Sequence, residues 1–507
     1  LRGCSISKFC VRAHPGQAAL QSLDISSSTR LMVSIKYILI FMKRINRCMS
    51  KIPKHIQQEY VNKAEMHKRF VKETGLSNFC ASPWNSFHEG PEGLVSTCCK
   101  TREPIGWSGE QTFEEMYNSD HAKDVRAAFL RNERHPQCSS CWMQEENGET
   151  SLNRLHGSGM STMPVIMDLI NNTDPDGTLH IHKPQWLDML WTSKCNFACI
   201  GCSPELSSTI NNKYKREYAL LNGNNPDNYY SNMTNWDNGS QHKVDYVLRN
   251  IDTIHAIHLN GGEPFMAEET YELLEELLKR GLQDRIHIWS HTNGSITKYK
   301  GVDIIDDYLV HWGDNATITM SNDGFGSTGE YARYGYKDKK WLNTYRRINE
   351  SGVNLNIQTC WNIFNAPNIH ELGEWFMDNC PLNTVYNPPM DKPDGKLTIW
   401  TNDTTQPKMS YYIPELREQC LESLRKAQKS GVHPLSWTEN LNRWKNWITK
   451  EDQRYVAPNY ENLYYWYNGM KQMDLARGTD LCTDVPHLRG LYELGKEISV
   501  NYNPEFR

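Results

Sequence analysis

An α/β fold built on a parallel sheet is what this sequence predicts. Short apolar segments of strand length recur between residues 186 and 386, with helical spacing or turn residues between them. Strands that alternate with helices pair in parallel. The residues with chemistry in them (cysteines, a glutamate, an asparagine, a serine and an aspartate) fall just past the ends of those segments. That is where α/β folds place their sites. With 507 residues, a net charge of −5 and a mean hydropathy of −0.68, the chain has room for two or three domains.

Residues 1–66 stand apart from the rest. They run through Ser- and basic-rich sequence without a sustained period, and their best apolar piece, 38–42, is too short to span a bilayer. They are expected to be a disordered or mis-called leader, with a natural start at Met42 or Met49 and with Cys4, Cys10 and Cys48 unpaired.

A cysteine-rich module is expected over 67–160. Cys80 and Cys98 frame a C-x12-G-x4-C pattern with Gly93 at its internal glycine, and a turn over 89–95 separates two short strands. A helical stretch over 113–130, with Met116, Val125 and Phe129 as apolar points, leads to the C-x2-C pair Cys138 and Cys141. Two separated thiols plus a close pair give four donors, enough to close an iron–sulfur or a structural zinc site. Cys99, beside Cys98, is the spare thiol and the alternative donor to it. Residues 174–177 read as a linker turn.

The main domain is expected over 181–395. Its first strand, at 186–190, runs straight into Cys195, Cys199 and Cys202 in C-x3-C-x2-C spacing. Three thiolates on one short loop hold three corners of an iron–sulfur cube and leave the fourth iron without a protein ligand. An open coordination position is the mark of a catalytic rather than a structural metal site. Part of a zinc site, or a buried thiol cluster with no metal, is the competing reading. An Asn- and Tyr-rich insertion over 211–241 reads as a loop over the site.

Further strands are expected at 254–260, 285–290, 316–320, 353–359 and 384–386. The second strand ends in Gly261-Gly262-Glu263-Pro264, and the helix after it places Tyr271, Leu274, Leu277 and Leu278 on one face. The two glycines let backbone approach a ligand with no Cβ in the way, Glu263 offers a carboxylate to an ammonium, and Pro264 holds the turn. The third strand leads to Thr292-Asn293-Gly294, where Asn293 either lines the same pocket or only makes the turn. The fourth ends in Ser321-Asn322-Asp323-Gly324, and the fifth precedes a helix containing Leu372, Trp375 and Phe376. Over 396–507 the pattern turns helical, with one helix marked by Leu416, Cys420 and Leu424 and another by Leu441, Trp444, Trp447 and Ile448. The aromatic run 464–467 reads as packing.

A three-cysteine loop after a strand, followed one strand later by GGEP, resembles the signature of radical S-adenosylmethionine (radical SAM) enzymes over most of residues 75–395. The resemblance implies a partial (β/α)6 TIM-like barrel with a small N-terminal cysteine-rich auxiliary-cluster module and a helical C-terminal region. It implies that Cys195, Cys199 and Cys202 hold a 4Fe-4S cluster whose free iron is chelated by S-adenosylmethionine. Glu263, with Gly261, Gly262 and Pro264, then binds the amino group of that cofactor. Ser321 and Asp323 stand in a pattern similar to the S-x-D-G of peptide-modifying members, where the serine lies near the ribose and carboxylate. Arg333 falls where related enzymes place a carboxylate-binding arginine, the alternative being a surface arginine on a helix.

The implied reaction is reductive cleavage of the cofactor to a 5′-deoxyadenosyl radical that abstracts a substrate hydrogen. Cys80, Cys98, Cys138 and Cys141 resemble half of the auxiliary module called SPASM or, when shortened, twitch, and imply a second iron–sulfur cluster. Two departures stand out. The module precedes the three-cysteine loop, whereas in better-known members it follows. The position before the third cysteine, usually bulky and packed on the adenine, is Gly201, which leaves Ile200 to cover the ring.

Near-balanced charge, with a pI of about 6.4, gives no electrostatic case for nucleic acid or anionic membrane. No apolar run approaches the roughly 18 residues of a membrane helix. Fifteen cysteines without a convincing secretory signal favour metal ligation in a reducing cytoplasm. The expected partners are a peptide or small-molecule substrate and an electron donor such as a flavodoxin or ferredoxin. Two other functions compete: a non-catalytic iron–sulfur or zinc-binding protein that has kept the fold, and an RNA-modifying radical SAM enzyme. The lack of a basic stripe argues against the last.

Overall fold

Numbered along the chain, the strands are β1 (Ser86–Glu89), β2 (Leu94–Ser96), β3 (Gly106–Trp107), β4 (Trp186–Leu190), β5 (Ala198–Cys199), β6 (Ala256–Asn260), β7 (His287–Thr292), β8 (Lys298–Tyr299), β9 (Val302–Asp303), β10 (Ala316–Ser321), β11 (Arg333–Tyr334), β12 (Asn354–Gln358) and β13 (Val385–Asn387). Nine of them form one sheet in the order β13-β12-β10-β7-β6-β4-β1-β2-β3. The computed structural model describes residues 69–90, 93–101, 103–108, 110–146, 163–224, 241–360, 362–380, 385–387, 413–429 and 460–501. The leader expected over 1–66, most of the insertion (225–240) and the helix expected around Leu441, Trp444, Trp447 and Ile448 lie outside them.

From β4 to β13 the six central strands are parallel and follow one another in chain order. Parallel crossovers are almost always right-handed, so a sheet that always steps in the same direction carries its helices on one face. The side chains obey that rule. Leu187, Met189, Ile257, Leu259, Ile288, Ile318, Met320 and Ile357 are buried in one core cluster with Leu273, Leu274, Leu277, Trp341, Tyr345, Ile348, Leu372 and Phe376 from the helices. Burying each such side chain contributes about 1.5–3 kcal/mol. Strand residues alternate between faces, so Asp188, His258, Trp289, His291, Thr319 and Gln358 share the opposite face. That face is polar.

The N-terminal segment joins this sheet: β1 lies parallel beside β4, with His88 level with Asp188, and β2 and β3 continue antiparallel to the edge. The helical stretch expected over 113–130 is two helices, α1 (Phe113–Tyr117) and α2 (Asp120–Leu130). Ser119 divides them because its hydroxyl accepts from the Ala122 N–H and caps the second, the position serine prefers over a helix interior.

The sheet is followed by α3 (Ser208–Lys213), α4 (Lys215–Leu221) and α5 (Gln241–Arg249) after β4, α6 (Glu268–Lys279) after β6, α7 (Gly326–Ala332) and α8 (Asp338–Glu350) after β10, and α9 (Ile369–Asn379) after β12. Part of the segment expected to be a loop from residue 211 is therefore helical. Tyr218 and Leu221 of α4 pack into a second core with Leu463, Trp466 and Met470 of a C-terminal helix, α11 (Tyr460–Arg477). The helix expected around Leu416, Cys420 and Leu424 is α10 (Pro414–Lys429), and the aromatic run 464–467 lies within α11, with Tyr465, Trp466 and Tyr467 buried. No helix among the described residues is long and apolar enough to cross a membrane.

Candidate functional site

The loop after β4 is held at every turn by its neighbours. The Cys195 N–H donates to Ser208 Oγ at 3.1 Å, Thr209 Oγ1 donates to the Cys195 carbonyl at 2.6 Å, and Ser207 Oγ donates to the Phe197 carbonyl at 2.7 Å. β5 pairs antiparallel with β11, which sets Cys199 opposite Arg333. The Cys202 N–H closes a turn onto the Cys199 carbonyl at 3.0 Å, and the Tyr218 hydroxyl donates to that same carbonyl. All three thiols are driven up in pKa first by burial; Cys199 and Cys202 add to the rise at Cys195, and Cys199 to that at Cys202, which reaches about 12. At Cys199 the charges of Arg333 and Arg477 oppose the rise.

The loop after β6 clasps this one. The Gly262 N–H donates to Thr192 O at 2.7 Å and the Glu263 N–H to Lys194 O at 2.8 Å. Gly261 sits at φ +138°, which side chains rarely adopt, and a Cβ there would meet Thr192 O at 2.5 Å. A Cβ on Gly262 would stand 2.6 Å from Lys194 O, 2.8 Å from Ser193 O and 2.9 Å from Leu206 O, all backbone atoms. Gly262→Ala should therefore push the two loops apart and destabilise the fold by about 1–3 kcal/mol. A urea midpoint equal to that of the unaltered chain would refute this packing.

Glu263 is fully buried. One carboxylate oxygen accepts from Thr292 Oγ1 at 2.8 Å and from the Phe265 N–H at 3.2 Å, and the other accepts from the Asn293 N–H at 2.7 Å. Burial pushes the carboxyl up to about 7 while these donors pull it down. Pro264 is buried and starts the helical turn that follows.

Asn293 makes the turn considered for it and also reaches the cysteine loop. Its Oδ1 accepts from the Ser295 N–H and Oγ, making the turn, while Nδ2 donates to Asn196 Oδ1 at 3.0 Å and lies 3.9 Å from the Cys195 sulfur. Ser321 ends β10 level with Gln358. Asp323 accepts from Arg333 Nε at 2.7 Å through one oxygen and from the Cys360 N–H at 2.7 Å through the other. Arg333 is thus a paired residue of β11, with a second nitrogen 3.9 Å from the Cys199 sulfur. Ile200, expected to cover an adenine, faces the second core instead, at 1% exposure, because its N–H is drawn to the Ala332 carbonyl.

Two neighbours of this site carry no sequence signal. Cys360, just past β12, has its thiol pushed up to about 12 by burial and Asp323, with Cys199 and Cys202 close enough to add to the rise. Arg477, at the end of α11, donates to the Ala198 carbonyl at 2.6 Å and to the Tyr218 hydroxyl at 3.2 Å. Its guanidinium lies over the rings of Tyr214 and Tyr334.

The other thiol group gathers at a small cavity lined by Cys80, Cys98, Cys138 and Cys141, with Phe129, Trp142 and Lys100. Cys99 does not line it. Burial first, then the neighbouring thiols, raises Cys80 to about 12, and burial raises Cys98 to about 11. A coordinated thiol is deprotonated by its metal even where burial raises it, so two groups of clustered, largely buried thiols suit ligation of an iron–sulfur cluster or of zinc. Among the described residues no three His, Cys, Asp or Glu side chains are placed to hold a single metal ion. A cluster assigns each thiolate its own iron and does not need that convergence.

Residues 80–142 match the model of SPASM, an iron–sulfur cluster-binding domain. That range contains Cys80, Cys98, Cys138 and Cys141. No curated protein matches the chain. Among solved structures it is similar to native anSMEcpe with bound AdoMet, at 18% identity over 48% of this chain and 59% of that one, with a TM-score of 0.30. It is also similar to Streptococcus suis SuiB bound to S-adenosylmethionine, at 14% identity over 61% of this chain and 63% of that one, with a TM-score of 0.33. The chain spans under two thirds of the length of each. TM-scores near 0.3 are too low for either likeness to extend to activity.

Proposed function

We propose that this chain is a radical SAM enzyme with an auxiliary iron–sulfur module. The observation that carries the reading is the clasp of adjacent strand ends: the Glu263 N–H bonded to Lys194 O, with a buried carboxylate beside Cys195. On this reading the singly wound sheet curls into a partial (β/α)6 TIM-like barrel around its polar face. Cys195, Cys199 and Cys202 would hold a 4Fe-4S cluster, and Cys80, Cys98, Cys138 and Cys141 a second cluster. When bound, the first cluster and S-adenosylmethionine would supply reductive carbon–sulfur cleavage and a 5′-deoxyadenosyl radical for hydrogen abstraction.

This chain's residues do the rest. Glu263 is enclosed, its carboxyl holding the Thr292 hydroxyl and the Phe265 and Asn293 N–H groups, so on this reading it sets the shape of the loop that would receive the cofactor's ammonium. Asn293 and Arg333 bring N–H donors toward the sulfurs of Cys195 and Cys199, contacts that tune cluster potential. Asp323 holds Arg333 in place through their 2.7 Å ion pair, and Ser321, at the end of the same strand, would lie toward the cofactor on this reading. A peptide or protein side chain is the substrate class favoured, by analogy with other SPASM-bearing enzymes. A flavodoxin or ferredoxin would supply electrons, in a cytoplasm that keeps the thiols reduced.

Anaerobic reconstitution followed by iron, sulfide and zinc analysis, then addition of S-adenosylmethionine and reductant, tests the proposal. Iron and sulfide for more than one cluster and release of 5′-deoxyadenosine are expected. The Cys195/Cys199/Cys202 triple alanine variant should lose the nucleoside but keep the auxiliary iron. A second reading, a non-catalytic iron–sulfur or zinc protein, is favoured by the absent side chain at Gly201 and the inward-facing Ile200. Bound zinc without sulfide, or metal without nucleoside release under several reductants, would support it instead.

A further inference from the structure

The polar face of the sheet carries a chain of hydrogen-bonding groups that the proposed cofactor chemistry does not use. His88 on β1 places Nδ1 2.7 Å from Asp188 Oδ2, and His258 on β6 places Nδ1 2.7 Å from Asp188 Oδ1, at ion-pair distance. His258 Nε2 is 2.9 Å from His291 Nδ1, and His291 Nε2 is 2.7 Å from Gln358 Oε1. The row of groups crosses from β1 to β12, with the His258–Asp188 step an ion-pair contact rather than a hydrogen bond.

Proton bookkeeping fixes the direction of its hydrogen bonds. An amide oxygen only accepts, so with Gln358 so oriented His291 carries its proton on Nε2. Burial, with His258 adding to it, lowers the His291 pKa to about 3, so that ring is neutral and its Nδ1 accepts. His258 must then donate from Nε2 to that ring. The His258 ring stacks on Trp289 with centroids 4.3 Å apart, which fixes its plane. Burial opposes ionisation of Asp188, but His258 and His88 hold its carboxyl well below the usual range.

The far end is open. His88 donates from Nδ1 to Asp188, which leaves Nε2 with a lone pair and no hydrogen bond among the described residues. Its side chain is 21% exposed. An imidazole oriented by a carboxylate through one nitrogen and open at the other is the arrangement of a general base.

We propose that His88 is an acid–base site on the polar face, accepting a proton at Nε2 from an O–H or N–H group of the substrate. Asp188, His258 and His291 are positioning residues. The proton goes to Nε2, the Nδ1–H stays on Asp188, and the carboxylate balances the imidazolium that forms. This rests on the reading that substrate occupies the polar face. The titratable groups facing His88 are Asp188 and Glu89; Asp188 also faces His258 and Cys99, and Glu89 is paired with Lys243.

Acylation by diethyl pyrocarbonate, which needs a neutral imidazole nitrogen with a free lone pair, tests this on the full chain, with sites quantified by peptide mass spectrometry across pH 5 to 8. His88 should react at least about tenfold faster than His258 and His291. Asp188→Asn should move the midpoint of the His88 profile to lower pH. Protection of His88 in the unaltered folded chain, or a profile that Asp188→Asn leaves in place, overturns the proposal. The first comparison needs no variant to fold. Neither measurement involves S-adenosylmethionine, so the result stands apart from that of the nucleoside assay.

Discussion

Replacing Glu263 by alanine is expected to destabilise the chain by about 3–6 kcal/mol and to abolish 5′-deoxyadenosine formation. The side chain has no exposure and accepts from Thr292 Oγ1, the Phe265 N–H and the Asn293 N–H. Removing it strands three buried donors, each costing about 1–2 kcal/mol, the lower part of the usual range for an unpaired buried group. Glu263→Gln keeps the volume and one accepting oxygen but turns an NH2 toward the Asn293 N–H, so a loss of about 1–3 kcal/mol is expected. The order unaltered, Gln, Ala in urea midpoint checks the account. Two variants indistinguishable from the parent would end it.

The same carboxyl gives the metal-free chain a pH dependence of defined sign. Burial raises it from 4.5 to about 7, against the pull of its three donors. The folded state therefore holds a proton that the unfolded state releases between those values. Stability is full below about 4.5 and is lost as pH rises through 7, by up to about 3 kcal/mol for a 2.5-unit difference. Glu263→Gln should flatten that part of the curve. An unchanged slope in the variant would assign the dependence to other groups.

What could be read from sequence, and what could not, divides by the range of the interaction. The core strands were legible because apolar residues at every second position mark one buried face; β4, β6 and β12 fall within the expected segments, and β10 and β13 each run one residue past theirs. β7 runs two residues later than expected, at His287–Thr292, because His291 and Thr292 look like loop residues until the polar second face is known. The GGEP loop was legible as local chemistry; that both its glycines are needed because the cysteine loop's carbonyls lie within 3 Å of their missing Cβ atoms was not. Arg477 reaches the cysteine loop from a helix 279 residues away, and no spacing rule connects them. Cys98 and Cys99 are adjacent in sequence and inseparable there, yet only Cys98 lines the cavity with the other thiols. The pairing of β1 with β4 is of the same non-local kind, since a four-residue strand carries no mark of the partner it will choose.

That pairing is secured by a buried ion pair whose disruption should rank with loss of Glu263. Lys243 of α5 lies 3.0 Å from Glu89 Oε1 at the end of β1, with side-chain exposures of 5% and 1%. Its ammonium also donates to the Leu190 carbonyl at 2.6 Å, at the end of β4, and Ser108 Oγ donates to the same Glu89 oxygen at 2.7 Å. The second Glu89 oxygen is buried without a hydrogen bond among the described residues, so the lysine is the chief compensation there for that charge. Lys243→Met leaves a carboxylate in the core without its counter-ion and is expected to cost about 3–5 kcal/mol in denaturant. Replacing both partners, as Glu89→Leu with Lys243→Met, removes the charge together with its counter-ion and should recover most of the loss, since well-packed apolar substitutes for buried pairs are often neutral. A single variant within about 1 kcal/mol of the parent would mean that water reaches Glu89. Because Leu190 leads directly into the three-cysteine loop and Glu89 follows His88, the single variant should also lower iron content at the first cluster and slow acylation of His88. The double variant should restore both, which separates a fault in the joint from one in either site.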